Sequence, residues 1–62
     1  MTYTAVMDID DDRWAKHPYG ITIKDENGNV VFSQNFLDSR EACYRIANKY
    51  GISRDDIKDV FY

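Results

Sequence analysis

Four carboxylates crowd into five positions in Asp8-Ile9-Asp10-Asp11-Asp12, the densest concentration of chemically capable side chains in the sequence. Oxygen ligands at alternating positions 8, 10 and 12 imitate the opening of a calcium-binding loop, which gathers hard cations in that way. The imitation then stops, because Arg13 stands where such a loop needs glycine for its turn and Tyr19 where it needs a bidentate glutamate. No metal site is expected from it. A solvated acidic loop that discourages edge-to-edge strand pairing accounts for the same residues. So does a surface that offers a phosphate-like run of negative charge to a basic groove on another protein. Trp14, the single tryptophan, either closes the edge of a small core or anchors such an interface, where tryptophan is enriched.

Catalytic chemistry finds little to build with. Nucleophilic catalysis needs a nucleophile beside a positioned base, and general acid–base catalysis needs paired titratable groups in a cleft. The chain has one histidine, His17, and one cysteine, Cys43, far apart in sequence. His17 precedes Pro18, which holds its backbone extended in a loop. Cys43 falls on an apolar helical stripe, the setting of a buried and inert thiol. There is no Gly-rich phosphate loop. The expectation is a protein that is not an enzyme and carries no cofactor.

A net charge of −3 and an isoelectric point near 4.8 argue against sequence-independent nucleic-acid binding, which depends on basic side chains displacing counterions. The one local alternative is a helix back bearing Arg40, Arg45 and Lys49, diluted by Glu41. A lone cysteine forbids an intramolecular disulfide and suits a reducing compartment. No apolar run approaches the ~18 residues of a membrane span, and the amino-terminal residues lack the basic-then-apolar order of a leader. A cytoplasmic protein, in its own cell or in one to which it is delivered, is the expectation.

These side chains must be positioned by elements that the hydrophobic pattern places. Tyr19, Ile21 and Ile23 alternate with Gly20, Thr22 and Lys24, the period of a strand with one buried face. Asn27-Gly28 predicts a type I′ reversal, followed by a partner strand in Val30-Val31-Phe32-Ser33-Gln34-Asn35-Phe36. There Phe36 either continues the core face or tucks under the next element. Asp38-Ser39-Arg40-Glu41 has the form of a helix start, with Asp38 or Ser39 as cap. Ala42, Cys43, Ile46, Ala47 and Tyr50 then lay an apolar stripe along that helix. Gly51 stops it, with Ile52 folding back against the last turn. Thr2 to Ile9 alternates as a first strand, with Tyr3, Ala5, Met7 and Ile9 on one face. Ser53 with Asp56 imitates the capping box of a short helix, while Ile57 to Tyr62 alternates as a strand; a turn through Ser53 to Asp56 and a short terminal strand is the favoured of the two readings.

The run Tyr19-Gly-Ile-Thr-Ile-Lys, Asn27-Gly28-Asn29-Val30-Val31-Phe32-Ser33 and Asp38-Ser39-Arg40-Glu41-Ala42-Cys43-Tyr44-Arg45-Ile46 resembles the repeat unit of the YegP-like family over about half the chain. The resemblance implies a short antiparallel sheet packed on one helix and, as in some members, a homodimer. It transfers no active site, and this chain departs from it in having one unit and an acidic segment where the family has another strand lead-in.

Residues 1–62 are thus expected to form one α+β domain: a three- to four-stranded antiparallel sheet packed on one helix, in the order β-β-β-α with a terminal strand. A domain of this size buries only roughly 60% of its unfolded surface, so association with a second chain would relieve a marginal core. By size and charge it is similar to the small inhibitors that phages and mobile elements encode against host defence, the anti-CRISPR type among them. The function expected is an acidic protein-binding module in which Asp8, Asp10, Asp11, Asp12 and Trp14 occupy a basic nucleic-acid-binding surface of a host protein. A YegP-like homodimer and a nucleic-acid-binding module using Arg40, Arg45 and Lys49 are the alternatives.

Overall fold

The computed structural model describes residues 2–10 and 16–61. Asp11, Asp12 and Trp14, three of the expected partner-binding residues, lie outside them. The chain is an α+β fold built as β1 (Thr4–Ile9), β2 (Tyr19–Lys24), β3 (Val30–Leu37), α1 (Arg40–Lys49), a 3₁₀ turn at Arg54–Asp56 and β4 (Ile57–Phe61). The four strands form one sheet in the order β3-β2-β1-β4. β1, β2 and β3 make an antiparallel meander, with Met7 opposite Ile21 and Ile23 opposite Phe32. β4 then joins β1 in parallel, Ala5 opposite Ile57, so the expected fourth strand makes the sheet mixed. Parallel neighbours need a crossover connection; α1 supplies it by carrying the chain from the β3 edge to the β4 edge.

Strand alternation sorts the side chains to two faces. Ala5, Met7, Ile9, Ile21, Ile23, Leu37 and Ile57 point to one face and are buried together with Cys43, Ala47 and Ile52. Met7, Ile21, Ile23 and Cys43 lose all contact with water, and burying each of the three larger ones, Met7, Ile21 and Ile23, contributes about 1.5–3 kcal/mol of hydrophobic stabilisation. Tyr3, Phe32 and Tyr50 close one end of this core, Tyr3 edge-on to Tyr50 at 5.4 Å and Phe32 tilted against it at 6.2 Å. The other face, with Thr4, Val6, Asp8, Thr22, Lys24 and Ser33, is covered by no element among the described residues.

Local chemistry explains the joints. Ser39 is the helix cap, its Oγ accepting from the Ala42 amide at 3.3 Å. Asp38 is left outside the helix and pairs with His17 Nδ1 instead. At the other end Gly51 takes φ +76°, and the amides of Ile52 and Gly51 donate to Ala47 and Asn48, both at 3.0 Å. That is the Schellman arrangement, and it buries Ile52 against the core.

Two details correct the reading of the hairpin. Gly28 alone takes positive φ, at +86°, and its amide donates to Asp25 C=O at 3.0 Å. Asp25 thus opens the reversal, and Asn27-Gly28 are not its two central residues. The cause is the Asp25 carboxylate, which accepts from the Asn27 and Asn29 amides at 2.9 and 3.0 Å and so competes with the type I′ geometry. Second, the β2–β3 register shifts between Tyr19 and Ile21, a bulge that inserts an extra residue on β3. Leu37 takes the core position opposite Tyr19, while Phe36 turns outward, 78% exposed and at φ +63°.

Candidate functional site

Asp8 and Asp10 emerge side by side because β1 alternates: with Ala5, Met7 and Ile9 turned to the core, positions 8 and 10 are committed to the uncovered face. The β3 bulge delivers Phe36 and Asn35 to the same end of that face. His17 arrives from the segment leading into β2. These five residues line an open depression of about 370 Å³. Its backbone is tied, since the Asp10 amide donates to Pro18 C=O at 2.8 Å, and His17 is linked to Asp38 at the start of the helix connection. Gly20 lies opposite Asp8 on the neighbouring strand. A Cβ there would come within 2.6 Å of Asn35 Oδ1, so the absence of a side chain is what lets Asn35 lie across the strand.

The arrangement combines two carboxylates, an imidazole and an amide with one exposed aromatic ring. Electrostatically it suits a cationic side chain, whose charge the carboxylates attract and whose stem or plane packs on a ring. Phe36 adds strain, because an aromatic residue at positive φ costs of the order of 1–3 kcal/mol, and it recovers little by burial where it stands.

The basic residues are arranged otherwise. Arg45 and Lys49 stand one turn apart on the exposed back of α1, whereas Arg40 is rotated by roughly 140° from Arg45 at 100° per residue. Arg40 sits at the helix start, 3.3 Å from Asp59 of β4 and 5.9 Å over the Tyr19 ring. Tyr44 and Tyr19, ahead of Asp59, hold its guanidinium more firmly in the charged form. The structure therefore does not gather Arg40, Arg45 and Lys49 on one surface.

Cys43 is wholly buried, its thiol facing Gly20 C=O at 3.9 Å, and burial pushes the thiol above its ordinary pKa. That is the opposite of what a reactive thiolate requires. Among the described residues no three His, Cys, Asp or Glu side chains gather as metal ligands, and no helix is long and apolar enough to cross a membrane.

Phe36, Asn35 and His17 are the residues of this depression that sequence reasoning missed, His17 because it reaches the depression only from a loop. The bulge that exposes Phe36 and Asn35 left one trace in the sequence: β3 runs polar, polar, polar through Ser33-Gln34-Asn35 and then places two large apolar residues in succession, which strict alternation cannot bury together. No family model, no curated protein and no solved structure matches this chain.

Proposed function

We propose that this chain is a non-enzymatic protein-binding module that uses the acidic, aromatic-edged end of its uncovered sheet face to occupy a basic surface on another protein. The observation that carries the reading is the meeting of Asp8, Asp10 and the exposed, strained Phe36 around one depression. Exposed aromatic rings, phenylalanine included, are enriched at protein interfaces, and strained backbone positions cluster at sites of contact. Asp11 and Asp12 follow Asp10 directly in sequence, and Trp14 comes after the intervening Arg13. Nucleic-acid-binding surfaces are basic because they neutralise phosphates, and occluding one inhibits its owner by competition. The small inhibitors that phages and mobile elements direct at host defence are the class in which this reading places the chain.

The test is affinity capture from lysate with nuclease present, repeated with the D8K/D10K variant and with F36A. The reading expects one nuclease-resistant partner, displaced by duplex DNA or RNA and retained at least tenfold less by D8K/D10K at unchanged melting temperature. Equal retention by the charge-reversed protein sinks it, as does a catch that disappears on nuclease treatment.

A further inference from the structure

Asn27-Gly28 is the only Asn-Gly step in the sequence; Asn29, Asn35 and Asn48 are followed by Val30, Phe36 and Lys49. In such a step the glycine backbone nitrogen can attack the asparagine side-chain carbonyl, because no Cβ on the following residue crowds the approach. Both residues are exposed at the tip of the β2–β3 hairpin, where water reaches them. The folded turn nevertheless opposes the reaction. Its nucleophile is the Gly28 nitrogen after loss of the proton, and in the fold that N–H donates to Asp25 C=O at 3.0 Å. The amides on either side, of Asn27 and Asn29, donate to the Asp25 carboxylate at 2.9 and 3.0 Å. The chain around Gly28 is therefore fixed, and a negative charge already stands beside the nitrogen that must become anionic, which disfavours deprotonation. The Asp25 amide closes the loop by donating to Asn29 C=O at 2.9 Å.

We propose that Asn27 is a site of spontaneous deamidation that Asp25 keeps shut, so that the modification records opening of this turn. Once the turn opens locally, the Gly28 nitrogen gives up its proton and bonds to Asn27 Cγ. The Cγ–Nδ2 bond breaks, and the side-chain NH2 takes up a proton and leaves as ammonia, with no change of oxidation state. Water then adds to one of the two carbonyls of the cyclic imide and opens the ring. The product is aspartate, or isoaspartate with the side-chain carbon in the main chain. Either adds one negative charge to the net −3, next to Asp25 and Glu26. Isoaspartate also lengthens the main chain by one methylene across the span that Gly28 N–H bridges to Asp25 C=O, so the turn that protected Asn27 does not re-form unchanged. This turn lies at the far end of β2 from Gly20 and the depression, and the inference stands apart from what Asp8 and Asp10 bind.

The test incubates the full chain, native or in guanidinium chloride, at one mildly alkaline pH and one temperature. Peptide mapping by mass spectrometry reads each asparagine, with the aspartate and isoaspartate products separated by chromatography. Three hydrogen bonds must loosen before the native chain reacts. Asn27 is therefore expected to convert about tenfold or more slowly in the native protein than in the unfolded one, and in the unfolded chain faster than Asn29, Asn35 or Asn48. D25A removes the carboxylate and is expected to convert at Asn27 about threefold or more faster than the native parent, with unchanged circular dichroism. Hydrogen exchange on the native parent gives a second reading without a variant, the Gly28 amide being slowed about tenfold or more relative to the unfolded chain. Equal conversion of Asn27 in native and unfolded parent overturns the inference. So does an unprotected Gly28 amide, or a folded D25A that converts no faster than the parent.

Discussion

Ile23 and Lys24 are neighbours in β2, yet Ile23 is fully buried and Lys24 stands in water on the uncovered face. The same contrast separates Met7 from Asp8 in β1. One face of the sheet is packed under α1 and holds the fold. The other is paired only by its backbone, and its side chains are free to be chosen for something else. In a domain with so little core, that division concentrates stability in about ten buried side chains and leaves the opposite surface tolerant of charge, strain and exposed rings.

The contrast is breakable. Ile23→Ala removes a fully buried side chain and is expected to cost about 2–5 kcal/mol, enough to unfold much of the population of a marginal domain; urea titration followed by circular dichroism reads it. Gly20→Ala is the exception that sharpens the rule, since it lies on the uncovered face but would press a methyl to 2.6 Å from Asn35 Oδ1. Asn35 is exposed and its amide can swing away, so the expected loss is about 1 kcal/mol, with partner retention falling as the depression changes shape. Phe36→Asn should do the reverse to stability, raising it by up to about 1 kcal/mol, because asparagine tolerates positive φ, while lowering partner retention. A drop in stability would mean that Phe36 packs where it stands. Lys24→Gln is expected to shift stability by less than about 0.5 kcal/mol; a larger change would show that the uncovered face is not energetically idle.

The smallest effect is one of pH. Amides of the turn, that of Asn29 foremost, hold the Asp25 carboxyl below its ordinary value of 3.8. A depressed carboxyl contributes stability that is whole above the ordinary value and is lost as pH falls through the lower folded one. Stability should therefore decline slightly more steeply in acid for the parent than for D25N, whose amide oxygen still accepts but does not titrate. Parallel curves between about pH 2 and 5 would refute this attribution.

Much of the covered face was legible in the sequence. Periods of two and near four residues predicted β2, the helical stripe and the Gly51 stop, because these depend on residue types that leave few alternatives. The fourth strand was legible in the alternation of Ile57, Asp59 and Phe61 with Lys58, Val60 and Tyr62, against a competing short-helix signal at Ser53, but its parallel union with β1 was not, since nothing local encodes which neighbour a strand will choose. The hairpin geometry was decided by the Asp25 side chain competing for amides. Phe36 was misplaced for a similar reason: a bulge resets alternation by one residue, and all positions after it exchange faces. Of the candidate site, Asp8 and Asp10 could be placed on one face from the sequence, whereas His17, Asn35 and Phe36 reach them only through tertiary structure.

The parallel pairing of β1 with β4 also fixes when the domain can be completed. Ala5 and Ile57 are opposite one another at almost the full span of the chain, whereas the meander of β1, β2 and β3 joins near neighbours. Closing the long loop carries the larger entropic cost and is repaid last. β1 therefore waits with one backbone edge open until β4 arrives, and substitutions at Ile57 should accelerate unfolding more than they slow folding, as stopped-flow kinetics would show.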